Sequence, residues 1–186
     1  IGGHSDLVAG VATGRAEPMQ RIRELRTILG TVTTPFNGWL LLRSLETVSI
    51  RMRRQAKNAR ALARLLAEHP RVTRVIYPGL LRPDDPQHAL WSRQCTGAGS
   101  MIAFEVAGGE AAAFAVLDRF EVFRLAVSLG GTESLVEHPM SMTHSDVPPE
   151  QNLAQGVTPG LIRMSVGLEH LSDLQRDLTC ALEAAG

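Results

Sequence analysis

Lysine is almost missing from this chain: of 19 basic residues only Lys57 is a lysine, so any chemistry that needs a lysine amine has one candidate. Cysteine is nearly as scarce. Cys95 and Cys180 are too few and too far apart for a disulfide framework or a closely spaced zinc or redox pair, and buried or idle thiols are expected. There is no excess charge of either sign, with 19 basic against 19 acidic residues, which excludes polyanion recognition by net charge and argues against nucleic acid as a partner. The longest apolar runs, "GWLLL" and "AAAFAVL", fall short of the roughly 20 residues a membrane-spanning helix needs. The first residues carry no basic-then-apolar signal pattern, so the expected setting is cytoplasmic and away from membranes. What is present, 186 residues with 44% apolar content, suffices for one domain with a buried core plus an extension.

Along the chain, "DLVAGVATG" is a short apolar run bounded by glycine, which predicts a buried strand. Pro18 opens a helical pattern in "MQRIRELRTILG" that Gly30 can close. Thr34 before Pro35 is an N-cap and first-turn signature, and helical composition then runs to His69, where Pro70 stops it. The reading is one very long helix, or two with a kink near the β-branched "TVSI". At helical spacing Ala59, Leu62, Leu65 and Leu66 share a face, while Arg53, Lys57, Arg60, Arg64 and Glu68 share the opposite one. Lys57 is therefore placed toward water. Beyond Pro70, "VTRVIYPG", "SMIAFEVAGG", "VFRLAVSLGG" and "GLIRMSVGLE" read as strands, and "EAAAFAVLDRF", part of "ESLVEHP" and "LSDLQRDLTCALEAAG" as helices. That alternation predicts an α/β layer sandwich, with helices covering one face of a small sheet.

Two strands carry polar residues in apolar company. In "GLIRMSVGLE" alternation sets Ile162, Met164, Val166 and Leu168 on one face and Arg163, Ser165 and Gly167 on the other. In "VFRLAVSLGG" it sets Phe123, Leu125, Val127 and Leu129 inward, with Arg124, Ala126, Ser128 and Gly130 outward. One reading is a solvated sheet face. The other is a recessed anion site, because a guanidinium can hold a carboxylate with two parallel charge-assisted bonds and small neighbours leave room for a ligand. Three other patterns carry less. "GGHSDL" lacks the glycine of a nucleophile elbow, Leu7 standing two residues after Ser5. His138 and His144 match no standard zinc spacing, so no metal site is expected. The glycines of "TGAGSM" lead into a strand rather than a helix N-terminus, which makes them a turn and not a phosphate cradle.

Taken together, "GGHSDLVAG", "PFNGWLLLRSLETVSIRM", "NARALARLLAEHPRVTRVIYPGL", "SMIAFEV", "AVSLGGTESLVEHPMSMTH" and "GLIRMSVGLEHLSDLQRDL" resemble the Cys/Met-metabolism family of pyridoxal-phosphate enzymes. The family includes cystathionine γ-synthase, cystathionine γ-lyase, methionine γ-lyase and the homoserine-ester sulfhydrylases. The resemblance implies a fold-type I transferase architecture. Residues 1–33 would be the end of the cofactor-binding large domain, 34–70 a long linking helix, and 71–186 a C-terminal small domain with a mostly antiparallel sheet covered by helices. It implies pyridoxal 5′-phosphate as cofactor. It also places the Schiff-base lysine just upstream of Ile1, so that no residue of this chain is expected to be the catalytic lysine.

By the same resemblance Arg163 clamps the substrate α-carboxylate, Ser128 lines the pocket beside it, Thr143 is a supporting partner, and Glu133 lies toward the distal end of the substrate, where it could bias the outcome. The implied chemistry is γ-elimination from a sulfur amino acid to an α-keto acid, ammonia and a thiol. The alternatives are γ-replacement, as in cystathionine γ-synthase or the sulfhydrylases, a fragment that persists only as a folded interaction domain, and a separate half that reassembles with its partner. A homo-oligomer built as a dimer of dimers is implied as well. Gln55, Ser100 and the serine of "RSLET" depart from common family residues and read as packing positions. "RTILGTVTTPFNGW" does not match the methionine γ-lyase pattern, which leaves the subclass open.

Overall fold

The computed structural model describes residues 1–184 and divides into two compact units, Ile1–Ser49 and Ile50–Gly186. The first unit is helical. Residues 1–15 are irregular, and α1 spans Ala16–Leu29 with no buried residue. Gly30 ends it in the left-handed conformation at φ 70°, its N–H donating to Arg26 O, a geometry that costs glycine nothing. The run "DLVAGVATG", expected as a buried strand, is neither: residues 7–15 form no strand and all but Leu7 are exposed. A strand exists through its pairing, and no other strand lies in this unit.

Helix α2 is a single helix over Pro35–Glu68. It starts as the sequence predicts, with Thr34 Oγ1 accepting from the Asn37 N–H at 3.2 Å and Pro35 in the first turn, and it runs through "TVSI" as one element. Within the second unit its residues Ala59, Leu62, Ala63 and Leu66 are buried, whereas Arg53, Lys57, Arg60, Arg64 and Glu68 are exposed.

The rest of the second unit is built on a five-stranded sheet of order β1-β2-β5-β4-β3. The strands are β1 Val72–Ile76, β2 Met101–Val106, β3 Arg124–Leu125, β4 Leu135–Glu137 and β5 Leu161–Ser165. All neighbours are antiparallel except β3 and β4, so the sheet is mostly antiparallel, as expected. Its helices are α3 Pro86–Gln94, α4 Gly109–Leu117, α5 Pro149–Ala154 and α6 Leu171–Ala184. One core unites Ile102 and Phe104 of β2, Val136 of β4 and Ile162 and Met164 of β5 with Leu62 and Leu66, Val116 and Leu117, and Leu174, Leu178 and Leu182. The last three recur every four residues on α6, which is why that amphipathic segment folds onto the sheet.

Three local expectations are corrected, and one helix the sequence did not announce is added. "ESLVEHP" holds a strand, not a helix: Leu135–Glu137 pairs with both β3 and β5, which satisfies backbone groups that a short isolated helical turn would leave unpaired. The alternation expected along "VFRLAVSLGG" also fails. Phe123 is buried, but Leu125, Val127 and Leu129 are exposed, because β3 is a two-residue edge strand whose continuation leaves the sheet. Helix α3 was hidden behind "DDPQ": Asp85 caps it by accepting from the Gln87 N–H at 2.8 Å, with Pro86 in its first turn. Finally, Cys95 and Cys180 are both exposed rather than buried.

Candidate carboxylate-binding site

Arg163 sits in the middle of β5, opposite Ala103 of β2 on one side and Glu137 of β4 on the other. Its neighbours along the strand, Ile162 and Met164, point into the core, so the pleat turns the guanidinium to the opposite face. That face is not open sheet. Ser165 and Glu137 on it are buried, and the loop after β3 folds over it, with the Gly130 N–H donating to Ser165 Oγ at 2.8 Å. The solvated-face reading therefore does not hold for β5. The Arg163 side chain keeps 22% exposure, and the surrounding face is recessed.

The guanidinium is held from two directions. Nη1 pairs with Glu137 Oε1 at 2.7 Å, while Nη2 donates to the carbonyls of Val127 at 2.8 Å and Ser128 at 3.2 Å. Nε is buried and has no partner among the described residues. Thr143 Oγ1 donates to the same Glu137 oxygen at 3.0 Å. The structure thus brings together three of the four residues proposed from the sequence, Arg163, Ser128 and Thr143: Arg163 and Thr143 meet on Glu137, which sequence reasoning missed, and Ser128 reaches Arg163. Ser128 joins through its backbone carbonyl. Glu133 accepts from Thr132 Oγ1 at 3.3 Å and packs on Gly131, at the start of the approach to β4.

Glu137 was missed because its segment read as a helix, where it has no partner. As a strand residue in register with Arg163 it is a cross-strand charge pair. The signal available was a short apolar pair flanked by two acids, "ESLVE".

The loops that frame this face are anchored by buried polar groups. Gln55 Nε2 donates to the Gly131 carbonyl at 2.6 Å, and Asn58 Nδ2 to the carbonyls of Gly167 and Glu169 at 3.2 and 3.1 Å. The Glu169 carboxylate receives the Ser134 N–H at 2.6 Å and hydroxyl at 2.7 Å. His138 has both ring nitrogens engaged, Nε2 by the Pro159 carbonyl and Nδ1 by Ser141 Oγ, each at 2.8 Å. No cluster of metal-ligating side chains occurs among the described residues, and no helix among them is long and apolar enough to cross a membrane.

The arginine of the last strand is thus recessed and framed by a clasp of loop carbonyls. The family model for the Cys/Met metabolism PLP-dependent enzyme matches residues 1–183. This chain belongs to that family. Its relatives include an L-methionine gamma-lyase of Pseudomonas deceptionensis, 44% identical over 99% of this chain and 46% of that protein. A cystathionine gamma-lyase of Mus musculus is 45% identical over 100% of the chain and 46% of its own length. Among solved structures, a cystathionine gamma synthase from Xanthomonas oryzae pv. oryzae, in complex with aminoacrylate and cysteine, superposes with a TM-score of 0.91 at 44% identity. That match covers 99% of this chain and 47% of the synthase. The chain spans about half the length of the curated relatives it matches.

The family is PLP-dependent, and the described residues do not fit a cradle for that cofactor. Attachment requires an amine held and oriented in a pocket, and the chain's single lysine, Lys57, is exposed among arginines on α2.

Proposed function

We propose that this chain provides the substrate-carboxylate grip of a PLP-dependent enzyme that makes or breaks the C–S bond of a sulfur amino acid. The observation that carries the reading is Arg163, recessed on β5 with its plane fixed by Glu137 and by two loop carbonyls. A guanidinium held in this way can align an amino acid by its acid group, and alignment of reacting partners can lower a barrier by several kcal/mol. Ser128 and Thr143 support the arginine from the loop and from beyond β4, and Glu133 is assigned to the distal part of the substrate. Within this proposal residues 1–33 belong to a cofactor-binding domain, 34–70 to a linking helix and 71–186 to a small domain, and the enzyme assembles as a dimer of dimers.

Elimination and replacement are carried as equal outcomes. Identity to the γ-synthase, 44%, matches that to the lyases, 44–45%. A further γ-synthase structure, in complex with cystathionine, gives the same TM-score of 0.91, against 0.89 for a cystathionine gamma lyase from Micromonospora echinospora. The lean toward elimination drawn from the sequence therefore has no support here.

The test is Arg163→Lys in the full-length enzyme, with cystathionine as substrate. Lysine keeps the charge but presents a point donor in place of a fork. One charge-assisted hydrogen bond is worth about 1.5–3 kcal/mol, so kcat/KM should fall roughly 10- to 150-fold, more than the loss of stability explains. An unchanged kcat/KM would count directly against the assignment.

A further inference from the structure

Glu137 enters the reading above only as a prop for Arg163, and its surroundings are unusual. It is fully buried. Its Oε1 takes both the Arg163 guanidinium at 2.7 Å and the Thr143 hydroxyl at 3.0 Å, while Oε2, equally buried, has no partner among the described residues. A buried carboxylate with one idle oxygen is poor material for stability, since an apolar residue in the same strand position would avoid the desolvation altogether. The arginine is incompletely satisfied as well, with Nε buried and without a partner. Glu137 holds Nη1 and the two loop carbonyls hold Nη2, while Nε is left uncommitted.

We propose that Glu137 is a positioning residue acting through Arg163, and that its charge sets how tightly an amino acid's carboxylate is held. The inference rests on the proposed role of Arg163. An incoming carboxylate meets an arginine whose charge is already opposed by a buried acid on the neighbouring strand. Two acids on either side of one guanidinium repel each other, at a separation on the order of 6 Å. At an effective dielectric constant of about 20 that repulsion corresponds to a factor of order 10 to 100 in affinity. Glu137 therefore holds the arginine in place and at the same time weakens its grip, which favours release of the bound acid over tight ground-state binding. Glutamine at this position retains an oxygen to accept from Arg163 and Thr143 and removes only the charge.

The full-length holoenzyme can be titrated calorimetrically with L-norleucine, an amino acid without a γ leaving group, and with pentylamine, its counterpart lacking the carboxylate. Glu137→Gln is expected to tighten norleucine about tenfold or more and to leave pentylamine unchanged within about twofold. A role confined to folding does not tighten binding of the acid alone. An unchanged or weakened norleucine affinity overturns the proposal. If that variant fails to fold, Thr143→Val at an exposed position decides instead. Without the hydroxyl, Glu137 opposes the guanidinium more fully, so norleucine should weaken a few-fold with pentylamine unmoved, and no change overturns the proposal. Arg163→Gln separates the two levels. Should the preference for norleucine over pentylamine survive that change, the carboxylate-grip reading itself falls. Should it collapse there while Glu137→Gln moves nothing, only the role of Glu137 falls.

Discussion

Replacing Asp177 by asparagine changes one carboxylate oxygen into an amide NH2 at the place where α6 ties down the turn before β3. The Asp177 carboxylate is buried and accepts three backbone N–H groups, from Glu121 at 2.8 Å through Oδ1 and from Val122 at 3.0 Å and Phe123 at 2.9 Å through Oδ2. Asparagine can keep its oxygen on Val122 and Phe123, but its amide nitrogen then faces the Glu121 N–H, donor against donor. One charge-assisted bond worth about 2 kcal/mol disappears, and the other two drop from charged to neutral strength at roughly 0.5 kcal/mol each. The expected loss is about 3 kcal/mol. Urea unfolding of the full-length protein reads it as a lowered midpoint with an unchanged slope. The consequence reaches the site, because the chain held by Asp177 continues into β3 and the loop whose carbonyls clasp Arg163. A loss below about 0.5 kcal/mol, the range of an ordinary surface substitution, would refute the reasoning that these three bonds anchor the turn.

Two other perturbations test the packing around the same unit. A Cβ added at Gly167 would meet the backbone carbonyl of Thr132 and, at 2.6 Å, the Glu133 carbonyl carbon, so Gly167→Ala should cost about 3 kcal/mol; a thermal midpoint equal to the parent's would contradict the close approach. Tyr77, the one tyrosine of the chain, is buried and donates to the Gly99 carbonyl at 3.1 Å. Burial raises its pKa above the ordinary value, and the Arg60 guanidinium offsets part of the rise. The unfolded chain then gives up the phenol proton first, so this contribution to stability is complete below about pH 10 and is lost as pH climbs through the folded pKa. Tyr77→Phe should flatten that alkaline decline in denaturant midpoints, and an unaltered slope above pH 10 would show that Tyr77 is not its source.

The sequence by itself determined the helices and their limits where the signals are local. Thr34-Pro35 starts α2 and Pro70 follows its end, Gly30 caps α1, and the apolar spacing of Leu174, Leu178 and Leu182 turns α6 toward the sheet. It also placed Arg163 off the core face of β5 by simple alternation, and Lys57 on the exposed side of α2. The outcomes that differ are those settled by pairing between distant segments. "DLVAGVATG" has strand composition and no partner in its unit, while "LVE" has too few residues to declare itself and becomes a strand between β3 and β5. The exposed alternation after Phe123 belongs to a loop that spends its carbonyls on Arg163. Glu137 shows the reason most plainly. A side chain's own neighbours in sequence set its face, but whether a charge is solvated, buried or paired depends on the strand laid beside it, and only the register of β4 against β5 brings that carboxylate to the guanidinium.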